Sequence, residues 1–156
     1  MLRKVLIGLV VLAVIIQLVP VDRSAPPEGV EVEAPPEVMN ILQRACYDCH
    51  SSRTKWPWYS KVAPVSWWIA DHVHEGREHL NFTDWGSYSP KDQSEAMEET
   101  WEEVEEGEMP LPSYVLGHPE AKLSEADKKV LKAWCDTRAP EHEAGEHEHP
   151  KDDHDH

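Results

Sequence analysis

Residues 36–50 read Pro36-Glu37-Val38-Met39-Asn40-Ile41-Leu42-Gln43-Arg44-Ala45-Cys46-Tyr47-Asp48-Cys49-His50, and the fold turns on that stretch. Val38, Ile41, Leu42 and Ala45 recur at the spacing of one helix face, with a proline in the first turn. The helix then runs into two cysteines two residues apart, followed at once by a histidine. Outward from there, no segment alternates apolar and polar residues over a useful length, whereas helical periodicity returns three times. A second helix starts near Pro64, carries Trp67, Trp68 and Ile69, and runs to about Leu80. A third has Ser89 as N-cap, Pro90 at its first position and Asp92 at its third. It turns Met97, Trp101 and Val104 inward and stops near Gly107. A fourth has Ser124 as N-cap with Asp127 three later, puts Val130, Leu131, Trp134 and Cys135 on one face, and ends before Pro140. The stretch between the first two helices and the stretch from Gly107 to Leu123 read as loops. The expectation is an all-α domain of about four short helices, with loops longer than compact bundles favour.

The Cys46-Tyr47-Asp48-Cys49-His50 run has the C-x-x-C-H spacing by which c-type haem is attached. Two thiols bond to the vinyl groups on one porphyrin edge, and the adjacent histidine supplies the proximal imidazole. Three other readings compete. A thioredoxin-like dithiol wants a βαβ setting, and no strands are evident. A zinc site wants a second ligand pair, which residues 38–139 lack. A disulfide closing a two-residue loop adds little.

Residues 46–85 run CYDCHSSRTKWPWYSKVAPVSWWIADHVHEGREHLNFTDW. Glu106-Gly107-Glu108-Met109-Pro110-Leu111, Tyr114 and His118-Pro119-Glu120-Ala121-Lys122-Leu123 follow. This pattern resembles the bacterial haem-binding domain family of small exported c-type cytochrome-like proteins. The resemblance covers about Val38 to Asp136, and its Trp-Pro-Trp-Tyr and Pro-Val-Ser-Trp-Trp segments set it apart from cytochromes c at large. It implies a small cytochrome c-like domain wrapping one covalent haem c, with haem binding more firmly implied than any physiological role.

Met109 leads the candidates for the sixth iron ligand. Its Gly-x-Met-Pro setting resembles the distal methionine loop of small cytochromes c, and Pro110 and Pro112 stiffen the loop. Met/His ligation raises the haem potential. His72 is the alternative, because His72 and His79 share a helix face with Trp68; His118 is a more distant one. An open five-coordinate iron is a further alternative. Met97 reads as core and Met39 as bland. Trp56, Trp58, Tyr59, Trp67, Trp68, Trp85 and Trp101 are too many for a surface, so Trp67 or Trp68 and Tyr59 are expected to wall the haem. Arg53 and Lys55 either pair with propionates or lie exposed. Cys135 has no partner in the chain and reads as a small buried hydrophobe.

Residues 1–21 open with Arg3 and Lys4 and continue as an apolar run from Val5 to Val21. They read as an uncleaved membrane anchor, with a cleaved secretory signal as the alternative. Residues 22–37 hold four prolines and five acids and read as a spacer. Residues 38–139 are the haem-binding domain. Residues 140–156 are an acidic tail with His142, His147, His149, His154 and His156, too polar for a core and able to take divalent metal. The net charge of −15 and the lack of a basic stripe exclude nucleic acid as a partner. The acidic third helix, from Glu95 to Glu108, reads as a solvated face or a dock for a basic redox protein.

The functional expectation is a membrane-anchored monohaem c-type cytochrome on the periplasmic side of a bacterial inner membrane, orientated by its inner cations. Cys46 and Cys49 hold haem c, His50 and Met109 ligate its iron, and the domain passes electrons to redox partners at the membrane without turning over a substrate. The alternatives are a haem-based sensor or small peroxidase with an open sixth site, and a metal-handling protein that uses its histidine-rich tail.

Overall fold

Ser89 and Ser124 each open a helix by the same device. The serine hydroxyl accepts the N–H three residues on, and the aspartate at that position, Asp92 or Asp127, reaches back to the serine N–H. Two of the four orphan donors of each helix start are satisfied in this way. The computed structural model describes residues 1–138, in which six α-helices and no strand form. They are α1 (Leu2–Ile16), α2 (Pro36–Ala45), α3 (Val65–His79), α4 (Pro90–Glu106), α5 (Pro112–Gly117) and α6 (Glu125–Asp136). Three 3-10 turns, Trp58–Lys61, Phe82–Ser87 and Pro119–Ala121, lie between them. The all-α expectation stands.

The core forms where α6 packs on α4 and on α2. Val38, Ile41, Leu42 and Ala45 of α2 are all buried, as their spacing predicts, and meet Leu131, Trp134 and Cys135 of α6 and Met97 and Val104 of α4. Each large apolar side chain fully buried there contributes roughly 1.5–3 kcal/mol. Phe82 and Trp85, from the second 3-10 turn, complete the cluster, and Phe82 stacks on Tyr47 at 5.8 Å between ring centroids. Cys135 is a buried free thiol among these side chains.

Three segments differ from the sequence reading. The expected loop from Gly107 to Leu123 holds α5 and a 3-10 turn, elements of one or two turns that are too short to show a periodicity. Residues 22–37 do not stand free as a spacer. Gly29 donates to the Thr83 carbonyl and Val32 to the Phe82 carbonyl, and Val32 is buried. Arg53 clamps Glu28 and Glu31, so the domain pairs two of the five acids of this segment. The apolar N-terminal run is helical only over the 15 residues of α1, and among the described residues no helix is long and apolar enough to cross a membrane. Pro20 follows the helix end and disfavours its continuation, and the Gln17 amide there donates to the Ala13 and Ala63 carbonyls at 3.1 and 3.2 Å and accepts from the Ala63 N–H at 2.9 Å. The tail expected to bind metal, residues 140–156, lies outside the described residues.

Candidate functional site

The cysteine pair sits on the turn that follows α2. His50 and Cys49 both donate their N–H to the Cys46 carbonyl, at 2.9 and 3.1 Å, which winds the motif into a tight loop. The Ser51 hydroxyl ties the same loop to the Tyr47 carbonyl at 2.6 Å. The far end of α3 braces it from outside. Arg77 donates to the Ser51 carbonyl at 2.8 Å, and the Phe82 N–H donates to the His50 carbonyl at 2.9 Å. Gly76 makes this approach possible: a Cβ there stands 3.2 Å from the Cys49 carbonyl oxygen and 3.3 Å from the Cys49 Cβ.

His50 Nδ1 lies 3.2 Å from the Leu80 carbonyl oxygen. A carbonyl only accepts, so Nδ1 carries the proton and Nε2 keeps its lone pair for a ligand. A metal-binding histidine is commonly held in this way. Burial also pushes the His50 pKa below its usual value, which favours the neutral, ligating imidazole.

Cys46, Cys49 and His50 open onto a cavity of about 480 Å³, closed on other sides by Leu80, Phe82, Val104, Leu111 and Leu123. That volume is in the range of sites for sizeable organic ligands. Met109 lines the same cavity. Gly107 takes the left-handed conformation (φ 84°) that ends α4, and the Met109 N–H then donates to the Glu103 carbonyl at 3.0 Å, so the chain folds back over the cavity. His72 and His79 line it from α3. His72 Nδ1 lies 2.9 Å from the Trp68 carbonyl oxygen, so its Nε2 is free by the same reasoning. The structure thus brings Cys46, Cys49, His50, Met109 and the alternative His72 to one cavity.

The thiols are protonated in these surroundings. Burial, aided by Cys49, pushes the Cys46 thiol up to about 12, and burial with the Asp48 carboxylate pushes Cys49 up to about 11. No lysine or arginine lines the cavity, whereas Glu75, Glu99, Glu102 and Glu103 do.

Other sequence expectations fail here. No tryptophan lines this cavity; Trp68 and Tyr59 wall a smaller neighbouring cleft with Trp56, and Trp58, Trp67 and Trp68 are exposed. Abundance of aromatic residues gave no measure of which rings a local turn leaves outside. For Arg53 and Lys55 the exposed alternative holds: both are exposed, Arg53 engages Glu28 and Glu31, and neither reaches the cavity. His118 bonds to the Tyr59 hydroxyl at 2.6 Å, stacks on Tyr114 and lies outside the cavity, as does His74, paired with Glu78. The sequence reading passed over Gly76 and Leu80, although a glycine inside a helical pattern is itself a sign of close backbone approach.

A covalent haem asks for two thiols near one imidazole, a free imidazole lone pair, a soft or nitrogen ligand from another element and apolar walls. The donor set and the cavity walls fit that requirement. A family model described as a haem-binding domain matches residues 11–137, most of the chain. No curated protein and no solved structure gives a significant match.

Proposed function

Because this chain belongs to the haem-binding domain family, we propose that it is an extracytoplasmic monohaem c-type cytochrome that transfers electrons. Cys46 and Cys49 would hold the haem covalently, and His50 Nε2 and Met109 Sδ would ligate its iron, with His72 as the rival to Met109. The bound haem supplies one-electron chemistry between ferric and ferrous iron. The chain's own residues do the rest. Leu80, Phe82, Val104 and Leu111 exclude water, and the Leu80 carbonyl fixes the imidazole plane. Glu99, Glu102 and Glu103 give the mouth a negative field suited to a cationic redox partner. Residues 1–21 hold the domain at a bacterial inner membrane, with Arg3 and Lys4 on the inner side. No substrate is turned over.

The observation that carries this reading is the convergence of Cys46, Cys49, His50 and Met109, from two distant stretches of sequence, on one apolar-walled cavity. The test is an absorption spectrum of the chain made in a host that attaches haem to cysteine, oxidised and reduced, beside Met109→Ala. A c-type pyridine haemochrome, with a sulfur-to-iron band at the red end that vanishes in the variant, is expected. A low-spin spectrum unchanged by the substitution transfers the ligand role to His72. A high-spin spectrum in the unaltered chain that responds to carbon monoxide or peroxide favours a sensor or peroxidase. Absence of covalent haem overturns the reading.

A further inference from the structure

Large apolar side chains are exposed in few places on this chain. Apart from α1 with its continuation to Val19, and Val30, the exposed ones among the described residues are Trp58, Val62, Val65, Trp67, Trp68 and Leu116. Leu116 is 89% exposed, Trp58 77% and Trp68 49%. These six occupy one corner. Trp58 lies on the turn Trp58–Lys61, Val62 follows it, and Val65, Trp67 and Trp68 form the first turn of α3. Leu116 precedes Gly117, where a Cβ would stand 3.5 Å from the Tyr59 hydroxyl.

The foot of α1 is bound to this same corner. Two of the three hydrogen bonds of the Gln17 amide go to Ala63, between Val62 and Val65, and the third goes back to the Ala13 carbonyl of α1. Arg23 donates to the Ser60 carbonyl at 2.7 Å and lies 5.7 Å from the centre of the Trp56 ring. α1 itself buries no residue, and of its side chains only Ile16 is half-buried.

The corner carries cations and acids side by side: Asp48 accepts from the Lys55 N–H and the Tyr114 hydroxyl, and Glu120 pairs with His118. Residues 49–70 contain Arg53, Lys55 and Lys61 and no acid, in a protein of net charge −15. Glu28 and Glu31 engage Arg53, whereas no ion pair among the described residues uses Lys55 or Lys61. Aromatic side chains with a polar edge favour the headgroup level of a bilayer, and lysine favours its anionic lipids.

We propose that this corner docks on an anionic phospholipid bilayer, with Trp58, Trp67, Trp68 and Leu116 seated among the headgroups beside the inserted α1. The inference rests on the reading that residues 1–21 hold the chain at a membrane, and it specifies how the domain sits there. It also accounts for the shortness of α1. At 1.5 Å per residue the helix reaches about 22 Å, against a hydrocarbon core of about 30 Å. A short span is accommodated by thinning of the bilayer and by interfacial anchors. The Gln17 clamp draws such an anchor down, where a free spacer would leave the domain remote.

The test uses the full haem-loaded chain in phosphatidylcholine vesicles with and without phosphatidylglycerol, containing a lipid with a photoactivatable group just below the headgroup. Labelled peptides are mapped by mass spectrometry. Labelling of α1 together with the peptides bearing Trp58 and Trp67–Trp68, the latter strengthened by phosphatidylglycerol, is the expected result. Peptides of α6 should stay unlabelled. Trp58→Glu combined with Lys61→Glu should reduce corner labelling on the order of tenfold while α1 is labelled as before; an unchanged haem spectrum shows that the variant is folded. If that variant does not fold, the comparison between the two lipids in the unaltered chain still decides. Labelled α1 with an unlabelled corner overturns the docking and leaves the anchor standing. Unlabelled α1 overturns the anchor and the docking with it. Corner peptides crosslinked to a second copy of the chain, in place of lipid, also overturn the proposal.

Discussion

The Nδ1 atom of His50 lies 3.2 Å from the carbonyl oxygen of Leu80, the residue that ends α3. The Leu80 N–H is itself bonded to the Gly76 carbonyl at 2.9 Å, so the acceptor is fixed by the helix terminus and not by a mobile side chain. His50 Nε2 is therefore presented to the cavity in one orientation. His50→Gly should lose low-spin haem absorption while Cys46 and Cys49 still retain pigment on a denaturing gel. Added imidazole should restore the low-spin spectrum. Failure of imidazole to alter the variant's spectrum counts against His50 as the proximal ligand.

Gly76 sets the distance between α3 and the motif loop. A methyl group at position 76 already meets Cys49 backbone and side-chain atoms at 3.2–3.3 Å, tighter than ordinary contact. A branched side chain meets more of the loop, and the loop is held at both ends by hydrogen bonds. Gly76→Val should reduce covalently attached haem per chain by severalfold and cost about 1–3 kcal/mol of stability by overpacking. Haem-staining of gels and thermal melts measure the two effects. Unimpaired attachment in Gly76→Val removes the steric role.

The sequence made α2, α3, α4 and α6 legible because each carries apolar residues at helical spacing and has a recognisable start. Val38, Ile41, Leu42 and Ala45 show their burial through spacing alone, and Ser89 and Ser124 announce the starts of α4 and α6. The motif and Met109 were legible as chemistry, and they meet at one cavity because the left-handed Gly107 returns the chain to α4. What stayed hidden depends on non-local contact. Nothing local distinguishes buried Trp85 from exposed Trp58, and the burial of Val32 depends on a hydrogen bond to Phe82 fifty residues on. Gln17, which interrupts the apolar run, binds Ala63 through a contact that no periodicity encodes.

Asp127 supports the fold electrostatically. The Ser124 hydroxyl and N–H, and then the Arg44 guanidinium at 2.6 Å, hold its carboxyl down at about 2. A group whose pKa is lowered by folding stabilises the native state above its ordinary pKa, and that support is lost as pH falls through the lowered value. The side chain is a quarter exposed, so solvent screening reduces the effect. Asp127→Asn should cost about 1 kcal/mol at neutral pH, a fall of roughly 4–8 °C in Tm for a domain of this size. The gap between parent and variant should narrow from about pH 4 to about pH 2. A constant gap across that window would assign the effect to packing.

With haem bound as proposed, the four carboxylates at the cavity mouth would bear on its iron as a field. Glu75, Glu99, Glu102 and Glu103 line the cavity, and among the described residues no lysine or arginine there offsets them. Negative charge favours ferric over ferrous iron, so these residues pull the potential down while a methionine ligand pulls it up. Neutralising Glu102 and Glu103 to glutamine should therefore raise the midpoint potential. The shift should be on the order of 10–30 mV per charge in dilute buffer, and it should shrink as salt screens both residues. The same variant should bind a cationic redox protein more slowly, with a weaker dependence on ionic strength. Potentiometric titration at low and high salt separates this field from a change of ligand. A field effect moves the potential and leaves the spectrum alone, whereas loss of Met109 moves both. A fall in potential on neutralisation would contradict the assignment.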